Sequence, residues 1–142
     1  MTTSRLDSLV RIHKALAHPV RMRIVAMLRG GELCVCQVNA VIALAPSTIS
    51  AHLGELRDAG LIAERKRGRW VHYRLAAEDA AEAALTALWP ALKEDAQVAD
   101  DSRMLRAVTN LPAEAICRPG FDLAALRARC CRPARVRRGE RA

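Results

Sequence analysis

Cys34 and Cys36 are separated by one residue in the segment ELCVCQ, residues 32–37. Thiolates are soft ligands of the kind that bind Zn(II), Cd(II), Pb(II) or a trivalent metalloid. In an ideal α-helix, residues two positions apart point in nearly opposite directions, so both sulfurs reach one small ion only if the helix unwinds locally. The spacing therefore predicts an ion site whose occupation distorts the start of a helix.

The chain has five cysteines, an odd count. In a reducing compartment they are expected to act as ligands, redox-active thiols or small buried residues, and not as a disulfide framework. Cys130 and Cys131 form an adjacent pair that has three interpretations: it completes the first site, binds a second ion, or stays an exposed reactive pair. Cys117 is a weaker candidate for a further ligand.

The composition bounds the fold. Of 142 residues, 51% are hydrophobic and only 3% aromatic, which favours a helical core built from Ala, Leu, Val and Ile. No apolar run approaches the roughly 18 residues of a membrane span, and the N-terminus lacks a signal-peptide pattern. We therefore expect a cytoplasmic protein with no membrane partner.

The formal net charge of +8 is concentrated at one end of the chain. Residues 127–142 contain seven arginines against the single acidic residue Glu140. Such a segment predicts a disordered, solvated tail, which can also add non-specific attraction to phosphates.

Helical periodicity runs through the first 60 residues. A first helix places apolar residues on one face; a second begins at Pro19 and ends at Gly30-Gly31; a third covers residues 33–42; and a fourth opens at Pro46 and ends near Gly60. The face of the first helix consists of Leu6, Leu9, Val10, His13, Leu16 and Ala17. The third and fourth helices have the proportions of a helix-turn-helix.

Residues 61–75 then change to a two-residue alternation, which predicts a β-hairpin with a basic turn at Arg67-Gly68. Asp79 can cap a further helix, which Pro90 must kink or split. The stripe of that helix comprises Leu85, Leu88, Trp89 and Leu92. The order of elements predicts a mainly α fold with a small β-hairpin, a winged helix-turn-helix.

A recognition helix presents its N-terminal residues to the major groove of DNA, and the fourth helix has short polar side chains there. The candidate base-contacting residues are Ser47, Thr48, Ser50 and His52. His52 has a second interpretation, a hydrogen bond inside the helix-turn-helix. Arg57 lies where a phosphate contact is expected. The candidate phosphate-binding residues of the hairpin are Arg65, Lys66, Arg67 and Arg69.

Several stretches together resemble the bacterial metal- and metalloid-responsive repressors of the ArsR/SmtB type. They are residues 17–21 (AHPVR), 32–36 (ELCVC), 47–53 (STISAHL), 56–61 (LRDAGL) and 68–75 (GRWVHYRL). The resemblance extends from the first helix to about residue 98. It implies a winged-helix domain over residues 1–98 and leaves residues 99–142, with Cys117, Cys130 and Cys131, as a C-terminal extension.

The resemblance also implies a function: a homodimeric repressor on a palindromic operator, released when As(III) or Sb(III) binds Cys34 and Cys36. The implied dimer interface pairs the first helix with the helix near residues 79–96, through Leu6, Leu9, Leu85, Leu88, Trp89 and Leu92. No organic cofactor is implied. The family places a third cysteine three residues after the second, where this chain has Asn39. The third thiolate is therefore expected from Cys117, Cys130 or Cys131.

Three alternatives remain open. Related Cd(II)/Pb(II) sensors add cysteines near the N-terminus, and this chain has none before Cys34. Related zinc sensors use Asp and His on the last helix, and residues 79–98 contain no His. A thiol-redox repressor would need only oxidisable cysteines. An enzyme is not expected, because the sequence shows no nucleophile–base pattern, cofactor loop or paired carboxylates.

Overall fold

The structure is a computed structural model that describes residues 4–76 and 78–130. Cys131 and nearly all of the arginine-rich end lie outside the described residues. The chain forms eight helices and three strands within the described ranges. In chain order these are α1 (Arg5–Leu16), α2 (Pro19–Leu28), β1 (Leu33–Cys34), α3 (Val35–Ile42), α4 (Pro46–Asp58), β2 (Ile62–Arg67), β3 (Trp70–Leu75), α5 (Asp79–Lys93), α6 (Ala96–Thr109), α7 (Ala113–Ile116) and α8 (Leu123–Cys130).

Local chemistry explains the element boundaries. Ser4 caps α1 by accepting a hydrogen bond from the Asp7 amide at 3.1 Å. Pro19 occupies the first turn of α2, where its missing N–H costs nothing. Gly60 follows α4 with φ of 79°, the left-handed conformation expected at a helix end. Gly68, with φ of 57°, makes the hairpin turn between β2 and β3.

The sheet has the order β1-β3-β2, with both pairs antiparallel. The predicted hairpin is confirmed, but the predicted start of the third helix is wrong. Residues 33 and 34 form a short strand because Leu33 and Cys34 pair with Tyr73 and His72 of β3. The helix begins only at Val35. The wing hairpin and the cysteine segment therefore belong to one sheet.

The core holds the recognition helix firmly. Ile49, Leu53 and Leu56 of α4 are each at most 1% exposed, which confirms the predicted stripe. They join fully buried side chains from α2, α3 and the start of the wing, namely Ile24, Val25, Val38 and Leu61. The arrangement is a winged helix-turn-helix.

The region after the wing contains more structure than the sequence predicted. The helix α5 runs unbroken through Pro90, so the proline does not split it, and its N-cap residue is Glu78 instead of Asp79. The helix α6 crosses residue 98 and packs against both α2 and α3. Asp101 of α6 is buried and accepts two hydrogen bonds from the Arg23 guanidinium, at 2.7 and 2.8 Å.

Among the described residues, no helix is both long and apolar enough to cross a membrane.

Candidate thiol site and nucleic-acid interface

Cys36 and Cys117 are joined by a disulfide, with their Cα atoms 5.6 Å apart. Cys36 is the second residue of α3, and Cys117 immediately follows α7, which packs against α3. This pairing differs from the expectation of free thiols. The reason is topological: the C-terminal extension returns to the start of α3, so two cysteines that are distant in sequence meet there. Cys117 is the candidate partner that the structure shows bonded to Cys36.

Cys34 is free and only 1% exposed. It lies in β1 with extended backbone, and its amide donates a hydrogen bond to Gln37 Oε1 at 2.9 Å. The premise that both cysteines lie within one helix is therefore wrong. In the described ranges, no three or more His, Cys, Asp or Glu side chains are grouped to hold a metal ion. Cys130 ends α8 and is partly exposed.

Asn39 occupies the position where the sequence predicted that a cysteine ligand is missing. It lies on α3, one turn after Cys36, and its Oδ1 atom is buried without a hydrogen-bond partner among the described residues. An unsatisfied buried acceptor of this kind costs about 1–3 kcal/mol. The side chain at this position thus adds no thiolate, and its buried Oδ1 accepts no hydrogen bond from the described residues.

The N-terminal part of the recognition helix α4 is open to solvent. Ser47, Thr48 and Ser50 are exposed, while Ile49 between them is fully buried. This alternation turns short hydrogen-bonding side chains away from the core, where they can meet base edges in a major groove.

His52 lies between α4 and α2. Its Nδ1 accepts a hydrogen bond from Arg21 Nη1 at 3.2 Å, and its ring lies 4.4 Å from the ring of His18. Burial, and then the positive charges of His18 and Arg21, lower the pKa of His52. The structure thus shows the internal hydrogen bond, the second of the two interpretations from the sequence.

Two of the predicted phosphate-binding arginines are already paired with carboxylates. Arg65 Nη2 donates to both oxygens of Glu32 at 3.0 Å, and this contact is the largest cause of the lowered pKa of Glu32. Arg57 donates to Glu64 at 3.2 Å, which raises the pKa of Arg57. The remaining wing cations are exposed: Lys66, Arg67 and Arg69.

Sequence reasoning missed Glu32 as a wing contact. The residue precedes β1 directly, and β1 pairs with β3, so its carboxylate reaches Arg65 across the sheet. Strand β1 has only two residues, which is too short for an alternating pattern to reveal. The sequence shows Glu32 well before a basic hairpin, but its contact with Arg65 can be inferred only from the pairing of β1 with β3.

The residues predicted for a dimer interface separate into two groups. On α1, Leu6 is 70% exposed and Leu9 37% exposed, and Val10 lies beside them at 44%. On α5, Leu88, Trp89 and Leu92 are partly buried, whereas Leu85 already packs in the core of this chain. The α1 face is thus the larger unpartnered apolar surface of the predicted interface.

Comparisons with known proteins agree with this architecture. Residues 18–64 match the family described as bacterial regulatory protein, arsR family. The arsenical resistance operon repressor of Escherichia coli is 45% identical over 67 residues, which are 46% of this chain and 57% of that protein. The chain spans about half the length of the curated arsenic-resistance relatives it matches.

Two further matches cover more of the other protein. A biofilm growth-associated repressor of Xylella fastidiosa is 33% identical over 55% of this chain and 68% of its own length. A homodimeric winged helix-turn-helix DNA-binding domain from Mycobacterium bovis superimposes with a TM-score of 0.56 at 32% identity, over 63% of this chain and 82% of that domain. With its matching segment, its winged helix and these relatives, the chain belongs to the arsR family of bacterial regulatory proteins, which bind DNA and are not enzymes.

Proposed function

We propose that this protein is a cytoplasmic transcriptional repressor that leaves its operator when As(III) or Sb(III) binds a thiolate site built on Cys36 and Cys117. The observation that carries the proposal is the meeting of these two sulfurs across α3 and the C-terminal extension. The similarity to an arsenical resistance operon repressor supports the choice of ion. Soft thiolate ligands suit such an ion.

Cys34 is the third ligand in this proposal. A dithiol reductant first reduces the Cys36–Cys117 disulfide to two thiols and is itself oxidised to a disulfide. Arsenite, As(OH)3, then reacts with three thiols to form three As–S bonds and releases three waters. Cys34 is buried in β1 and must move to join the pair. Cys130 and Cys131 remain candidates for this third position. Cd(II) or Pb(II) would use the same thiolates, and competition among the ions in one release assay separates these inducers.

The position of Cys34 allows ion binding to disturb the elements that are proposed to contact DNA. Strand β1 pairs with β3 of the wing, and α3 leads directly to α4. Drawing Cys34 toward Cys36 disturbs the β1–β3 pairing and the start of α3 together. An ion that binds the disturbed conformation more tightly than the DNA-binding conformation lowers the affinity for the operator. By thermodynamic linkage, bound DNA lowers the affinity for the ion by the same factor.

The proposed DNA complex is a homodimer on a palindromic operator. A single winged helix makes few contacts, and a two-fold pair doubles them. The exposed α1 face, with Leu6, Leu9 and Val10, together with Leu88, Trp89 and Leu92 of α5, supplies the dimer surface. In each subunit, Ser47, Thr48 and Ser50 read bases. The exposed wing cations bind phosphates, with Arg57, Arg65 and His52 as further candidate contacts.

The disulfide itself favours a second candidate function, a thiol-redox repressor. In that case hydrogen peroxide oxidises the Cys36 and Cys117 thiols. The two thiols give up two protons and two electrons, an S–S bond forms, and the peroxide is reduced to two waters. Cys34 takes no part in this step. The two functions therefore differ in their need for Cys34.

Operator release by the single variants Cys34→Ser, Cys36→Ser and Cys117→Ser tests both functions. We expect arsenite, with reductant present, to release the parent protein and none of the three variants. If peroxide without arsenite also releases the parent, Cys34→Ser should respond as the parent does. Cys130→Ser tests the alternative third ligand: it should behave as the parent in both assays if Cys34 completes the site, whereas loss of its arsenite response would place Cys130 there. Full arsenite release of Cys36→Ser and Cys117→Ser would refute the proposed site.

A further inference from the structure

The end of α3 is capped from the C-terminal extension. An α-helix leaves its last carbonyls without donors from its own backbone. The Asn39 carbonyl accepts a hydrogen bond from the Ala43 amide at 2.7 Å. The next two carbonyls, those of Ala40 and Val41, accept hydrogen bonds from Arg127 Nη2 of α8 at 3.0 and 2.6 Å. A guanidinium at this position also complements the partial negative charge of a helix C-terminus.

The backbone just after this cap is unusual. In the part of the chain that the structure describes, Ala43 is the one non-glycine residue with a positive φ, 58°. A side chain makes the left-handed conformation costly, and such a residue persists where its surroundings hold it. Ala43 lies between α3 and Pro46, where the recognition helix begins. Its conformation therefore sets the direction in which α4 leaves the turn.

The same extension also holds the opposite end of α3. Cys117 is bonded to Cys36 at the first turn, and Arg127, further along the extension, binds the last turn. Just before Cys117, α7 packs on α3, and α8, which carries Arg127, packs on α6. A change in the bond at Cys117 therefore acts on the segment that carries Arg127 to the helix-turn-helix.

We propose that Arg127 is the positioning residue through which the C-terminal extension fixes the helix-turn-helix turn and passes thiol chemistry at Cys36 and Cys117 to the recognition helix. The second half of this statement rests on the proposed function. The first half stands on the hydrogen bonds alone. Arg127 contacts neither the ion nor DNA in this scheme.

The test measures a ratio in the full chain: operator Kd with arsenite present, divided by operator Kd in reductant alone. Couplings between sites are commonly 5- to 150-fold. Arg127→Met, which keeps an apolar stem and removes the donors, is expected to lower this ratio at least about fivefold. Arg129→Met, on the exposed side of the same helix, is the matched control and should keep the parent ratio.

A second measurement keeps the inference independent of the proposed function. Amide hydrogen exchange over residues 43–49, without DNA or arsenite, should be faster in Arg127→Met than in the parent or Arg129→Met. If the methionine variant does not fold, Arg127→Gln, which keeps one amide donor, takes its place with the same expectation. If arsenite does not release the parent, the proposed function fails while exchange still tests the cap. Unchanged exchange, or an unchanged ratio in a responsive protein, overturns the role of Arg127.

Discussion

Helix α4 and the wing, the two proposed DNA-contacting elements, are held in place by different forces. Helix α4 is anchored by Ile49, Leu53 and Leu56, which are almost completely buried. The outer part of the wing is exposed, and its side chains make ion pairs at the surface, such as Arg65 with Glu32. Ionic screening acts little on the burial of apolar side chains, whereas exposed ion pairs weaken as salt is added.

The difference in anchoring corresponds to two proposed tasks, base reading by α4 and phosphate binding by Arg57 and the wing. The candidate base-reading side chains of α4 project from a buried apolar support and are exposed in the structure without DNA. Two phosphate-binding candidates, Arg57 and Arg65, must first exchange a carboxylate for a phosphate. In the proposed complex, the base-reading surface is thus already formed, whereas part of the phosphate contact requires Arg57 and Arg65 to leave their ion pairs with Glu64 and Glu32.

The largest effect is expected from the anchor of α4. Leu53→Ala removes a side chain that is 1% exposed and should lower the free energy of unfolding by about 2–5 kcal/mol. Val71→Ala, on a partly buried position of the wing, should cost clearly less. Urea denaturation of both variants measures the difference. Equal losses would show that the wing is anchored as firmly as the helix.

The next largest effect concerns the separate contributions of α4 and the wing to DNA binding. Ser50→Ala should reduce discrimination between operator and random DNA by about 1–3 kcal/mol, because a side chain facing the base edges is lost. Arg69→Ala should weaken binding to both DNAs alike and reduce the logarithmic salt slope by about one. Titrations against both DNAs over a salt series check this. A loss of discrimination in Arg69→Ala would contradict the division of tasks.

A smaller effect concerns pH and the contact between α4 and α2. Burial and the positive charges of His18 and Arg21 lower the pKa of His52 below its ordinary value of 6.5. The unfolded chain therefore binds more protons at this residue than the folded one, so this contribution to stability is lost as the pH falls from 6.5 through the folded pKa.

Urea midpoints from about pH 7.5 to 5 measure this loss. The difference between the parent and His52→Gln isolates the contribution of this one residue, because the two proteins share every other side chain. A parent that becomes relatively more stable toward acid would reverse the sign and refute the assignment.

The smallest effect is expected from removing the ion pair that Arg65 of the wing makes with Glu32. Glu32→Gln weakens the hold on Arg65, so more of this cation becomes available to phosphate. The salt slope of DNA binding should steepen by up to about 0.9, with little change in thermal stability. Glu114→Gln, an exposed position on α7, makes the same charge change away from the wing. An equal steepening in that control would show a general charge effect.

The sequence predicted the DNA-binding body well because its signals are local. Pro19, Pro46, Gly60 and Gly68 mark element boundaries through backbone restrictions that act within a few residues. The apolar stripe of α4 and the alternation along residues 61–75 likewise need only the immediate neighbours. The winged helix-turn-helix was therefore confirmed, and only the first turn of the third helix was misplaced.

The thiol site could be predicted only in part because its geometry is long-range. Cys34 and Cys36 were evident from their spacing, but three distant cysteines were candidate partners, and Cys117 was the weakest of them. The selection of Cys117 depends on α7 packing against α3. The Arg127 cap and the Glu32–Arg65 pair depend in the same way on packing and register, which no local pattern encodes.

The ion pair between Arg23 and the buried Asp101 limits where the chain can be truncated. A fragment that ends at residue 98 keeps every candidate DNA-contacting residue but lacks Asp101, Met104 and Val108, all of which are buried. It leaves the Arg23 guanidinium without its carboxylate partner and uncovers apolar faces of α2 and α3. A truncated form of the winged helix should therefore extend beyond residue 98 and include α6, which carries Asp101, Met104 and Val108.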